Sequence, residues 1–123
     1  VTPVKPRSKA SSLAIGNPAD GDHAIAAARA SGGAIHSVPE EEIGANMALL
    51  AERSGVFGEA AAGICLGALR EAIAAGSVTA DDCVVLLVTG DGLKTPGPVA
   101  ERVTTVEIEA DADALLEQLG VAV

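Results

Sequence analysis

The feature that most constrains this chain is the run Cys83-Val84-Val85-Leu86-Leu87-Val88. It is continuously apolar and rich in β-branched residues, so it reads as a central strand covered on both faces. Strands of that kind belong to parallel sheets flanked by helices. The rest of the chain supplies elements to match. Ser12-Leu13-Ala14-Ile15, Ala34-Ile35-His36-Ser37-Val38 and the alternating stretch Val103 to Glu109 are further strand candidates. Helices are predicted over His23 to Ala30, Pro39 to Arg53, Ala60 to Ala75 and Asp111 to Leu119. Strands alternating with helices predict an α/β fold, a three-layer α/β/α unit with a mostly parallel sheet. With 123 residues there is room for one domain. Residues 1–10, containing Pro3 and Pro6, read as a linker or a torn loop, and 11–123 as the folded portion.

Helix boundaries carry their own signals. Ser37 and Glu40 have capping-box spacing, with Pro39 suited to a first helical turn and Glu40, Glu41 and Glu42 complementing the helix dipole. The helix from Ala60 is apolar almost all round, so it should be buried. Gly63 and Gly67 weaken its helix propensity, and close backbone packing is their expected purpose. Hydrophobic residues make up 49% of the chain but aromatic residues only 1%, so its apolar surface is Ala, Val, Leu and Ile.

Composition also narrows function. A formal net charge of −9 disfavours nucleic acid, which needs a basic surface. No apolar run is long enough for a membrane span. Cys65 and Cys83 match no metal or haem spacing and read as reduced, buried and inert, which points to the cytoplasm. His23 and His36 have no partners at metal-ligand spacing, so no metal site is expected. The chain starts with Val, which suggests a trimmed or cut polypeptide.

Three segments carry candidate chemistry. Thr89 to Lys94 follows the apolar strand, and ligands in open α/β sheets bind beyond the carboxyl ends of strands. Thr-Gly-Asp-Gly there offers a hydroxyl and unobstructed backbone amides, or else only a tight turn. It is neither a dinucleotide fingerprint nor a nucleotide P-loop. Gly55-Val56-Phe57-Gly58-Glu59 places a carboxylate at the edge of an apolar helix, where it either caps the helix or lines a site, with capping favoured. Ile15-Gly16-Asn17-Pro18 reads first as a turn.

In order and spacing, Ala14 to Pro18, Gly55 to Glu59 and Val88 to Lys94 resemble the threonine synthases. Ser31-Gly32-Gly33 and Gly76 fit the same pattern. The resemblance runs from about Ser11 to Pro98, and Thr89-Gly90-x-Gly92-Leu93-Lys94 is its most specific element. It implies the type II pyridoxal-phosphate enzyme fold and conversion of O-phospho-L-homoserine and water to threonine and phosphate, with pyridoxal 5'-phosphate as electron sink. It further implies that Thr89 hydrogen-bonds the pyridine nitrogen and that Gly90 and Gly92 let the backbone pass close to the cofactor. Glu59 would lie at the cofactor edge, with Gly16 and Asn17 forming a neighbouring wall. Asp91, Ala60 and Ala61 depart from the family pattern. The family's cofactor-anchoring lysine and phosphate loop lie upstream of Gly-Asn-Pro and match nothing here, so no catalytic residue is assigned. The expectation is a C-terminal portion of such an enzyme, inactive alone and homodimeric or otherwise oligomeric. The alternatives are a stand-alone binding or assembly domain of this fold, or part of a threonine/serine dehydratase.

Overall fold

The computed structural model describes residues 1–104, 107–108 and 110–120. Four α-helices stand out: α1 (Gly21–Ser31), α2 (Ile43–Ser54), α3 (Ala60–Ala74) and α4 (Ala112–Gln118). Each coincides with a predicted helix to within a few residues at its ends. Short 3-10 helices occupy Ser11–Leu13, Gly92–Lys94 and Gly97–Arg102.

The helix ends follow backbone chemistry. Gly32 and Gly55 close α1 and α2 at φ of 70° and 73°, in the left-handed region that a Cβ disfavours. Asp111 caps α4 by accepting from the Ala114 amide at 2.9 Å. The capping box expected before α2 does not form. Glu40 Oε2 instead accepts from the Lys9 amide at 2.7 Å, and α2 begins only at Ile43. That amide, with the Ser8 hydroxyl adding to it, holds the Glu40 carboxyl below its ordinary value.

The core lies where α2 packs on α3. Ile43 and Met47 are fully buried, and Ala10, Ala60 and Val99 join them, with Phe57 and Ile64 alongside. Each large side chain buried in this way contributes about 1.5–3 kcal/mol, which makes this seam the main source of stability. Glycine sets its closeness. A Cβ at Gly63 would stand 2.7 Å from the Ile43 carbonyl oxygen and 2.9 Å from Met47 Cγ. One at Gly67 would stand 2.7 Å from both Asn46 Nδ2 and Val38 Cγ1. The expectation of close backbone packing at these two glycines holds.

The mostly parallel sheet does not form among the described residues. Ser12 to Ile15 begins as a 3-10 helix, and Ala34 to Val38 and Cys83 to Val88 make no strand ladder. The described residues of the Val103 to Glu109 candidate are likewise not strand; Thr105, Val106 and Glu109 lie outside the described residues. A helix closes its hydrogen bonds on itself, whereas a strand needs a neighbour to supply them. Without one, the apolar run stays open to solvent: Val85 is 78% exposed and Leu87 71%. Cys83 is exposed and Cys65 half-buried, so the expected burial of both cysteines does not hold. The accessible surface of 8981 Å² for 12.1 kDa is half as large again as the ~6000 Å² of a compact monomer of that mass.

Candidate functional site

Two loops far apart in sequence meet at the N-terminus of α3. The Glu59 amide donates to the Gly90 carbonyl at 2.9 Å, and the Gly92 amide donates to the Phe57 carbonyl at 2.8 Å. These bonds frame an isolated antiparallel bridge between Gly58 and Asp91. The sequence forces this closeness to be glycine's work. A Cβ on Gly92 would lie about 2.5 Å from the Phe57 ring, and one on Gly90 would occupy the space taken by the Glu59 carboxylate. A concavity of about 470 Å³ opens beside the bridge, lined by Gly55, Val56, Phe57, Val88, Thr89, Gly90 and Asp91.

Thr89 is exposed on that concavity, and no hydrogen bond from another described residue engages its hydroxyl. Asp91 is turned to local work, its Oδ1 accepting from the Leu93 amide at 2.8 Å to start the 3-10 turn Gly92–Lys94. Gly92 is buried under Phe57 and does not line the concavity.

Glu59 departs from the favoured expectation. It occupies the N-cap position of α3, but its side chain makes no capping hydrogen bond. The cap comes from Thr95, whose Oγ1 accepts from the Ala60 amide at 2.9 Å. The Glu59 carboxylate is therefore free of the helix. The residue is only 5% exposed, and Lys94 Nζ lies 3.4 Å from its Oε2. The carboxylate abuts Gly90 and does not itself line the concavity.

The structure thus brings together four of the five predicted site residues: Glu59, Thr89, Gly90 and Gly92. Asn17 is exposed and takes no part in the concavity. Its neighbour Gly16 accepts from the Val4 amide at 2.9 Å and packs against Pro6. Two participants were not foreseen, Thr95 as a helix cap and Lys94 as the partner of Glu59. Lys94 carried a signal in its place at the end of the Thr-Gly-Asp-Gly-Leu-Lys run. Thr95 carried none, because a cap supplied from 35 residues away leaves no local pattern. Among the described residues no group of three His, Cys, Asp or Glu is placed to hold a metal ion, and no helix is long and apolar enough to cross a membrane.

Comparison with known proteins places this geometry in context. Threonine synthase of Halalkalibacterium halodurans is 37% identical over 117 residues, covering 94% of this chain and 33% of that protein. Threonine synthase of Mycobacterium leprae is 36% identical over 116 residues, covering 94% and 32%. Threonine synthase of Methanocaldococcus jannaschii is 32% identical over 117 residues, covering 94% and 29%. The chain spans about a third of the length of these curated relatives. The family described as "Pyridoxal-phosphate dependent enzyme" matches residues 1–90, which takes in Gly16-Asn17, Glu59, Thr89 and Gly90. With nearly three quarters of its length matched, the chain belongs to the pyridoxal-phosphate-dependent enzyme family.

Proposed function

We propose that this chain is the C-terminal portion of a threonine synthase, a cytoplasmic lyase that converts O-phospho-L-homoserine and water to L-threonine and phosphate. The observation that carries the reading is the likeness to threonine synthases over 94% of the chain, together with the docking of its most specific motif, Thr89 to Lys94, on Gly58 and Glu59.

The residues of the concavity fit one edge of pyridoxal phosphate. Thr89 brings a hydroxyl with no other described partner, beside backbone stripped of side chains at Gly90. No lysine lines the same concavity. When bound, the cofactor supplies an electron sink for the substrate carbon. The Thr89 hydroxyl would hold the ring nitrogen by a neutral hydrogen bond, which draws less charge onto the ring than a carboxylate partner does. Gly90 would permit the close approach, Gly92 would let Phe57 pack behind it, Glu59 would support that edge from behind Gly90, and Asn17 would form a neighbouring wall only once the rest of the enzyme brings its loop to the site.

Residues 11–123 would then be one portion of a larger α/β/α unit, with 1–10 leading into it. The open run Cys83 to Val88 would become a central strand of a mostly parallel sheet once strands from the rest of the enzyme pair with it. The large accessible surface supports that reading, as it does a homodimer or other homo-oligomer.

The test has two arms. The 123-residue chain titrated with pyridoxal phosphate and treated with borohydride is expected to show no saturable binding and no trapped lysine. The native protein carrying this sequence is expected to release phosphate and threonine from O-phospho-L-homoserine. A lysine trapped in the isolated chain, or no phosphate release by the native protein, overturns the reading.

A further inference from the structure

Lys94, the partner of Glu59, has no role in the reading above. Glu59 is buried, free of any helix-capping duty, and abuts the glycine that follows Thr89. A carboxylate withdrawn from water needs a compensating charge, and Lys94 Nζ is placed to supply it at 3.4 Å. Lys94 itself is largely exposed, its side chain keeping 63% of its accessible surface. It could turn to solvent at little cost, so its position on Glu59 reflects the demand of the buried partner. Two further hydrogen bonds tie the ends of the Thr89–Thr95 segment to the start of α3: the Glu59 amide donates to the Gly90 carbonyl at one end, and the Ala60 amide to the Thr95 hydroxyl at the other. Lys94 pulls between them on the side chain of Glu59.

We propose that Lys94 is a positioning residue. Its ammonium holds the Glu59 carboxylate against Gly90, and through Gly90 it fixes where the Thr89 hydroxyl stands. The proposal rests on the functional reading above only for what Thr89 contacts; the clamp itself stands on this geometry.

Removal of the ammonium leaves the buried carboxylate without its compensating charge, and the Gly90 backbone that it abuts should loosen with it. Amide-resolved hydrogen exchange in the native protein reads this directly. In Lys94→Ala the Glu59 and Gly92 amides should exchange about five- to tenfold faster, while amides along α2 and the middle of α3 keep their wild-type rates. Lys94→Arg should restore the slow exchange, because a guanidinium reaches the same carboxylate. Pyridoxal-phosphate affinity measured by equilibrium dialysis should fall by a similar factor in Lys94→Ala and recover in Lys94→Arg. Unchanged exchange at both amides in Lys94→Ala overturns the proposal. So does acceleration spread evenly over all helices, which marks a global loss of stability. If the wild-type protein binds no pyridoxal phosphate while the local exchange pattern holds, the cofactor reading fails and the clamp stands.

Discussion

Gly63→Ala sets two known effects against each other at one atom. In an exposed helix the change is favourable by about 1 kcal/mol, because alanine loses less backbone entropy. Here the new methyl would stand 2.7 Å from the Ile43 carbonyl oxygen. That atom belongs to the backbone at the start of α2, so it cannot swing aside; the helix must move as a body. Overpacking of this kind costs about 1–3 kcal/mol, and a shift of α2 also loosens the seam that buries Ile43 and Met47. The net effect should be a loss of about 1 kcal/mol, which lowers Tm by about 4 °C in a chain of this length. Gly67→Ala offers the comparison. The atoms nearest its methyl would be side-chain atoms, Asn46 Nδ2 at 2.7 Å and Val38 Cγ1 at 2.7 Å, and Val38 lies in a segment without ladder bonds. The penalty and the propensity gain should nearly cancel. Urea titrations with constant m-value rank the two. If Gly63→Ala matches or exceeds the wild type, or if Gly67→Ala costs more than Gly63→Ala, the account of the α2–α3 seam is wrong.

Three other outcomes follow from the same geometry. Thr95→Val should remove the cap on α3 at a cost of about 1 kcal/mol, seen as a lower urea midpoint and faster exchange at the Ala60 amide. The Lys9–Glu40 contact should weaken on acidification. Because the folded Glu40 carboxyl is held below its ordinary value of 4.5, the stability it contributes is present above that pH and is lost as pH falls through the lowered value. The Lys9 amide resonance should therefore stay constant from neutral pH down to that range and then move towards its random-coil position. Finally, Val85→Lys should reduce self-association of the isolated chain, since it places a charge in a largely exposed run of six apolar residues with strong β-propensity. Light scattering unchanged by Val85→Lys would mean that association proceeds through another surface.

Helices were legible from the sequence because their bonds are local. The spacing of Ile43, Met47 and Leu50, the stops at Ser31-Gly32 and Ser54-Gly55, and the glycine pair in α3 all appear in the structure with the roles assigned to them. Strands were not legible in the same sense. The composition of Cys83 to Val88 describes a residue run that seeks cover, and no other described segment provides the partner. The exposure of Cys83 has the same origin. The site was partly legible: the segments singled out at Thr89 to Lys94 and Gly55 to Glu59 lie against each other, yet the helix-capping role favoured for Glu59 belongs to Thr95. Spacing rules find caps in the residues just before a helix, and a cap delivered across the fold escapes them. The Ser37–Glu40 capping box failed for the opposite reason, since Glu40 accepts from the distant Lys9 amide instead.

That borrowed cap has a kinetic consequence. The first turn of α3 keeps its hydrogen bond only while the Thr95 hydroxyl stays in place, so the loop cannot swing out without fraying the helix. Opening of the concavity and melting of the helix start become a single event with a shared barrier. Anything that seats itself against Thr89 and slows that event will also quiet the first turn of α3, and a reporter placed in that turn would register occupancy of a site it never touches.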